Sequence, residues 1–273
     1  MDKNKLRFNF GKNWNNYILD LDDKNINSAI ESLKKACKYI DNIEESSFLD
    51  IGSGSGLFSL ASLKMGFESI LSFDYDKNSV NCTKILKKKF DPKNKNWIIK
   101  QGSILDINFI NNLGKFDLVY SWGVLHHTGD LWQSISNSLE LVENNGILYI
   151  AIYNDQGWAS KYWKRIKIIY NKVNIILKFF LIIIFGIYFI SILLISDFIK
   201  FKNPFKRYQI GPRGMKFYTD LVDWIGGYPF EVAKPNEIIS FIEKKGFVCL
   251  WNTYAGRKHG CNEYIFKKII NKS

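Results

Sequence analysis

Apolar positions in residues 25 to 41 (NINSAIESLKKACKYID) recur at helical spacing: Ile26, Ile30, Leu33, Ala36, Cys37 and Ile40 fall on one face. The period then changes. SSFLDI reads as a short buried strand, and LFSLASLKMG as a helix stopped by Gly66. SILSFDYD and WIIKQ read as further strands, with KNSVNCTKILKKKF as the helix between them. FDLVYSW, LWQSISNSLELV and ILYIAIYN continue as strand, helix and strand. Near the C-terminus PNEIISFIEKKG predicts a helix, and FVCLWNTY and NEYIFKK predict two strands. Strands alternating with helices require crossovers, and right-handed crossovers place the strands parallel in one sheet. The expected class is therefore α/β, a Rossmann-like doubly wound sheet whose ligand edge lies beyond the carboxyl ends of the strands.

Residues 155 to 235 interrupt this rhythm. Within them KFFLIIIFGIYFISILLISDFIKFK carries no charge from Phe179 to Ile195. A helix of that length reaches roughly 25 Å, near the lower limit for a bilayer core. The stretch is apolar all round, unlike a surface helix with one wet face. Basic residues flank it on both sides, from Lys161, Lys164, Arg165 and Lys172 to Lys206, Arg207, Arg213 and Lys216, and Asp197 is the single acid in that interval. Positive flanks at both ends place both on the cytoplasmic side. A single crossing would also part the last two strands from the first five and destroy the sheet. Three readings stay open: a helix on or in an anionic membrane surface, an apolar cover for the active site, or a pairing face for a second copy of the chain, which would make a homo-oligomer.

The chain has 273 residues, a formal charge of +12 and 47% apolar residues, enough for one large domain with an insertion. Its four cysteines (Cys37, Cys82, Cys249, Cys261) form no metal-type pair, and the polar start MDKNKLRFNFGKNW has no apolar run. A reduced, cytoplasmic setting is expected, without a secretory signal and without a bound metal. The positive charge admits nucleic acid or an anionic membrane as a partner.

DIGSGSG sets Gly52, Gly54 and Gly56 between a strand and a helix, where glycine allows a sharp turn and close approach of a ligand to free N–H groups. A dinucleotide fingerprint requires a further glycine where Leu57 stands. Asp74 and Asp76 close the next strand, where an acid accepts hydrogen bonds from ribose hydroxyls.

Taken in order, Asp50, the glycine loop, SFDYD, GSILD and FDLVYSWGVLHHTGD resemble the class I S-adenosylmethionine-dependent methyltransferases. YSWGVLHHTGD and AIYNDQGW are similar to segments of the ubiquinone-biosynthesis O-methyltransferase group. The resemblance covers about residues 45 to 155 and, in outline, the last thirty. It implies a seven-stranded sheet with the last strand antiparallel and a helical apolar insertion between strands five and six. Residues 1–44 would form an N-terminal helical or lid segment, residues 45–273 the methyltransferase domain, and 156–216 the basic and apolar insertion. It implies S-adenosyl-L-methionine as cofactor, with Gly52, Ser53 and Gly54 at its methionine part, Asp74 on the ribose, Tyr75 by the adenine, and Ser103 and Ile104 at the adenine edge. Asp50, Gly56, Ser121 and Trp122 complete the expected cofactor set. In that group the fourth motif carries two glutamates and a histidine associated with a metal; here Gly123 and His126 replace the glutamates and only His127 matches.

A hydroxyl acceptor must lose a proton, and histidine suits that task near neutrality. His127 is the first candidate for the base and His126 the second; both follow strand four. A bland alternative is that either histidine braces its loop. His259 reads as a loop residue between the last strands. Polar groups of YNDQGW (Tyr153 to Trp158) would stand at the pocket mouth, and DWIGGYPFE (Asp223 to Glu231) would fold over a substrate or form an ordinary turn. FNFGKNWNNY would lie over the cofactor, with Trp14 against it, or pack outside. The expected activity is methylation of a hydroxyl on a lipophilic small molecule or lipid-linked sugar, by a peripheral or monotopic protein on the inner face of a membrane. An RNA methyltransferase is a second reading; the family's RNA-binding additions and an Asn-Pro-Pro-Tyr-like motif are absent, so nucleic acid is not the expected partner. A non-catalytic lipid-interaction module is a third, and the intact glycine loop and Asp74 argue against it.

Overall fold

A computed structural model describes residues 6–11, 14, 18, 21–91, 95–199, 217–256 and 260–269. Seven strands form one sheet: β1 Ser47–Ile51, β2 Ser69–Asp74, β3 Trp97–Gln101, β4 Phe116–Trp122, β5 Val142–Tyr153, β6 Phe247–Thr253 and β7 Cys261–Lys268, in the order β3-β2-β1-β4-β5-β7-β6. The first five run parallel; β7 runs antiparallel to both β5 and β6. The order reverses between β1 and β4, so the loops after these strands diverge and leave a crevice.

Helices cover both faces. On one side lie α1 (Asp23–Cys37), α2 (Leu57–Lys64) and α3 (Lys77–Phe90), burying Leu33, Leu60 and Leu86 against the sheet. On the other lie α4 (Ile107–Asn111), α5 (Leu131–Glu140) and, past the insertion, a helix at Pro235–Glu243, burying Ile110, Ile135 and Ile238. Local chemistry sets the starts. Asp22, Asp76, Asp106 and Asp130 each accept a backbone N–H at a helix N-terminus, a contact worth about 1 kcal/mol.

The interruption after β5 is helical. α6 (Trp158–Lys172), α7 (Ile175–Ile199) and α8 (Phe217–Gly226) build a third layer around Trp163, Ile166, Tyr170, Leu221 and Ile225; the Pro235–Glu243 helix is then α9. DWIGGYPFE is therefore partly helical, because Asp223 to Gly226 close α8. The uncharged run from Phe179 to Ile195 lies within one continuous helix, α7, of 25 residues, unbroken at Gly186, which is buried. A Cβ at Gly186 would come within 3.3 Å of Leu221, so the glycine lets α7 and α8 approach. α7 is long and apolar enough to cross a membrane by length and composition. β5 before it and β7 after it are hydrogen-bonded neighbours, and a single crossing is incompatible with that pairing. Residues 200–216, which carry the second basic flank, and His259 lie outside the described residues.

Candidate active site

At the β1/β4 divergence lies a cavity of about 920 Å³. One half is polar. The β1 loop turns sharply at Gly52 (φ 73°), where a Cβ would meet Val124 Cγ1 at 2.4 Å. No other residue fits that backbone and that gap. Gly54 N–H donates to one oxygen of Asp74 (3.0 Å) and Asp76 N–H to the other (2.8 Å), which aims the carboxylate while leaving lone pairs on both oxygens. Burial pushes Asp74 up to about 6, against those two N–H bonds; the charge of Asp76 adds to the rise and Arg7 opposes it. Asp50, also in the wall, is pushed up to about 7 by burial, opposed by the Ser59 hydroxyl at 2.5 Å and reinforced by Asp74.

Asp76 is already engaged: it caps α3 through Asn78 N–H (2.8 Å) and accepts Gly11 N–H (2.9 Å). That contact brings the N-terminal segment across the opening. Trp14 lines the cavity beside Gly54, and the Arg7 guanidinium sits 4.3 Å over the Tyr75 ring. Arg7 also donates to the carbonyls of His127 (3.0 Å) and Thr128 (3.1 Å). Of the two positions open to this segment, its described residues take the one over the cavity. Phe10 lines the cavity with its ring 5.0 Å from that of His127; neither it nor Arg7 was singled out in the sequence, since nothing in a local pattern reports a contact across more than a hundred residues.

Asp50, Gly52, Ser53, Gly54, Asp74, Tyr75, Ser103, Ile104, Trp122 and His127 all line the cavity. Three expected residues stand behind the wall instead. Ser121 points to the opposite face of β4 from Tyr120 and Trp122, as strand alternation demands, and its hydroxyl donates to Ile51 O (3.2 Å). Gly56 (φ 81°) begins α2 and packs on Thr83, so it serves the turn. His126 is fully buried under the Tyr153 ring (centroids 3.9 Å), and its Nδ1 accepts Tyr153 N–H at 3.4 Å. Of YNDQGW only Tyr153 reaches the main cavity; Asn154 is bound to Asn262 and Gly256, and Asp155 to Gly157 N–H.

The second half of the cavity is largely apolar, with Ser196 of α7 and Asp223 of α8 as polar exceptions. Phe189, Ile192 and Leu193 of α7, Leu221 and Trp224 of α8, and Tyr153 form it. His127 stands where the halves meet. Its Nδ1–H donates to Pro229 O at 2.6 Å, which leaves Nε2 as the bare nitrogen. Burial, Lys167 and Arg7 lower His127 to about 3, against the Pro229 bond, so the ring is neutral at physiological pH. Among the described residues no cluster of three or more His, Cys, Asp and Glu side chains is arranged to hold a metal ion.

The donor set fits an adenosyl sulfonium ligand. Asp74 offers paired acceptors for a diol, the Gly52–Gly54 backbone leaves no side chain in the turn, and Tyr75 and Ile104 offer apolar contact for a base. A sequence model of the family described as "Methyltransferase domain" matches residues 49–150. A ubiquinone biosynthesis O-methyltransferase of Pelagibacter ubique is 27% identical over 122 residues, 45% of this chain and 47% of that one. The match thus spans about half the length of the curated relative. Among solved structures, magnesium protoporphyrin IX methyltransferase from Synechocystis with bound SAH aligns over 90% of this chain and 86% of that one (TM-score 0.54, 13% identity). PKMT2 from Rickettsia typhi aligns over 90% and 53% (TM-score 0.57, 15% identity). Residues 49–150 thus match the methyltransferase-domain model, and the fold around them is that of solved methyltransferase structures.

Proposed function

We propose that this protein transfers a methyl group from S-adenosylmethionine to a hydroxyl of a lipophilic small molecule, of the polyprenyl quinol or lipid-linked sugar type, at the cytoplasmic face of a membrane. The observation that carries this reading is the double role of α7. One stripe of it, through Phe189, Leu193 and Ser196, walls the apolar half of the cavity. Most of the rest is uncovered: apart from Ile192, thirteen of its 25 residues are large, mainly apolar side chains left exposed, from Ile175 (78%) to Ile199 (68%). Monomeric soluble proteins rarely leave so continuous an apolar surface in water. α6 beside it exposes Trp158, Tyr162, Lys161, Lys164 and Arg165, the aromatic and cationic mixture suited to an anionic headgroup layer.

The cofactor supplies an electrophilic methyl on a sulfonium, so the chain chiefly positions and dries the site. Asp74 would hold the ribose, the Gly52–Gly54 turn would receive the methionine part, and Tyr75 would flank the adenine. His127 would accept the acceptor's O–H through Nε2. A base held near pKa 3 does not ionise an alcohol in advance. The hydroxyl proton becomes strongly acidic as the new C–O bond forms, and a weak, correctly placed base then suffices.

The test is incubation with radiolabelled S-adenosylmethionine and separate lipid, glycan and RNA extracts. Label is expected in the lipid fraction, and expected to vanish in His127→Gln while cofactor binding persists. Label in RNA, or full turnover in His127→Gln, would overturn the acceptor class or the role of His127 respectively.

A further inference from the structure

Lys167 is fully buried on α6, among aromatic rings. Its ammonium lies 4.7 Å from the Trp224 ring centroid, 4.8 Å from Phe230 and 5.9 Å from Tyr153. Its Nζ donates to Trp224 O. One turn later on the same helix, Asn171 donates to Gly226 O at 2.7 Å. These two carbonyls end α8, where the helix dipole is negative and a cation is favoured. The chain beyond runs as a strap from Trp224 to Glu231. Phe8 N–H is bound to Tyr228 O (2.9 Å), His127 Nδ1–H to Pro229 O, and Glu231 N–H to His126 O (3.0 Å). The anchor of the strap on α6 is thus Lys167 with Asn171, and its far end orients the histidine that faces the cavity.

We propose that Lys167 is a positioning residue for methyl transfer: it pins the strap whose Pro229 carbonyl holds His127 in the tautomer that presents a bare Nε2 to the acceptor. This rests on the reading of His127 given above. A buried lysine is a costly anchor, and two aspects of the geometry explain its presence. A long cationic side chain combines a donor for the carbonyl with attraction to the surrounding aromatic rings. Its charge also acts on both histidines, disfavouring protonation of His126 and of His127. The titratable groups around it are Asp223 on α8, His126 and His127 on the turn after β4, and Tyr153 on β5. Burial lowers Lys167 to about 7, and Asp223 opposes that fall. The anchor therefore loses its charge as pH rises through neutrality.

The test needs no acceptor. Nitrogen-15 NMR of the histidine rings in the full chain, with the signals assigned through His127→Gln, reports tautomer and titration directly. In the wild type His127 should show the Nδ1–H form, with a Nε2 shift that inflects near pH 7 as Lys167 titrates. In Lys167→Met the inflection should disappear, the tautomers should mix, and protonation of His127 should move up by about one pH unit. Lys167→Arg should restore the Nδ1–H form without the inflection. A wild-type His127 that carries its proton on Nε2, or mixes the two tautomers, overturns the proposal even if Lys167→Met fails to fold. So does an unchanged His127 spectrum in folded Lys167→Met. If His127→Gln turns over fully while these signals behave as expected, the strap is as described and the role of His127 is what fails.

Discussion

Substituting Phe180, Ile184 and Ile187 together by serine tests the outward face of α7. The three lie at helical spacing on one side and are 54%, 58% and 62% exposed. Because water already reaches them, the fold should lose little; helix propensity costs a few tenths of a kcal/mol each. Burying a complete Phe or Ile side chain yields about 1.5–3 kcal/mol, and roughly half of each side chain is free to enter a bilayer, so each contributes about 1 kcal/mol or somewhat more to membrane binding. The triple variant should therefore lose about 3–4 kcal/mol, a 10²- to 10³-fold weaker partition coefficient. Co-sedimentation with liposomes of phosphatidylglycerol and phosphatidylcholine measures it, with S-adenosylmethionine affinity by calorimetry as the control for folding. Unchanged partition with intact cofactor binding would refute membrane docking through α7. If the variant instead turns a dimer into a monomer by light scattering, the face belongs to a second copy of the chain.

Other outcomes follow from the polar half of the cavity. Asp74→Asn should weaken S-adenosylmethionine binding by about 10- to 100-fold, the range for hydrogen bonds to a charged group, and wild-type affinity should fall as pH drops below about 6, where Asp74 takes up its proton. Gly52→Ala forces a side chain into a backbone at φ 73° and against Val124, so cofactor binding measured by calorimetry should fall at least tenfold, with a loss of about 2 kcal/mol or more in stability. Asp50 is pushed up to about 7, so the folded state holds its proton between the unfolded value near 4 and that level, and stability falls as pH rises through this window. Asp50→Asn should consequently raise the melting temperature at pH 8 and leave it nearly unchanged at pH 4.

Most of the sheet was readable before any coordinates. Short apolar runs ending in turn residues marked the strands, helical spacing marked the first helix, and motif order supplied the antiparallel seventh strand through family likeness. Cofactor-side residues were legible for the same reason: the glycine loop and Asp74 sit within a few residues of strand ends, and strand ends define the ligand edge. Local sequence alone did not separate Ser121 from Trp122, or His126 from His127, because adjacent residues differ only in which way the backbone turns them. Strand alternation sends Ser121 behind the sheet, and one turn of 3₁₀ helix places His126 under Tyr153.

What the chain alone determined, then, is whatever depends on short-range periodicity: the elements, the crossovers, and the incompatibility of a single membrane crossing with strands on both sides of α7. The tertiary structure decided what depends on long-range contact. It turned Phe189 and Leu193 of α7 inward to the cavity while leaving Phe180 and Ile184 outside. Residues all apolar in sequence carry no sign of which side is covered, since only packing against Leu221 and Trp163 selects the buried stripe. It also carried Arg7 across to His127 and placed Lys167 under the strap that holds that histidine, contacts between segments whose spacing along the chain encodes no distance in space.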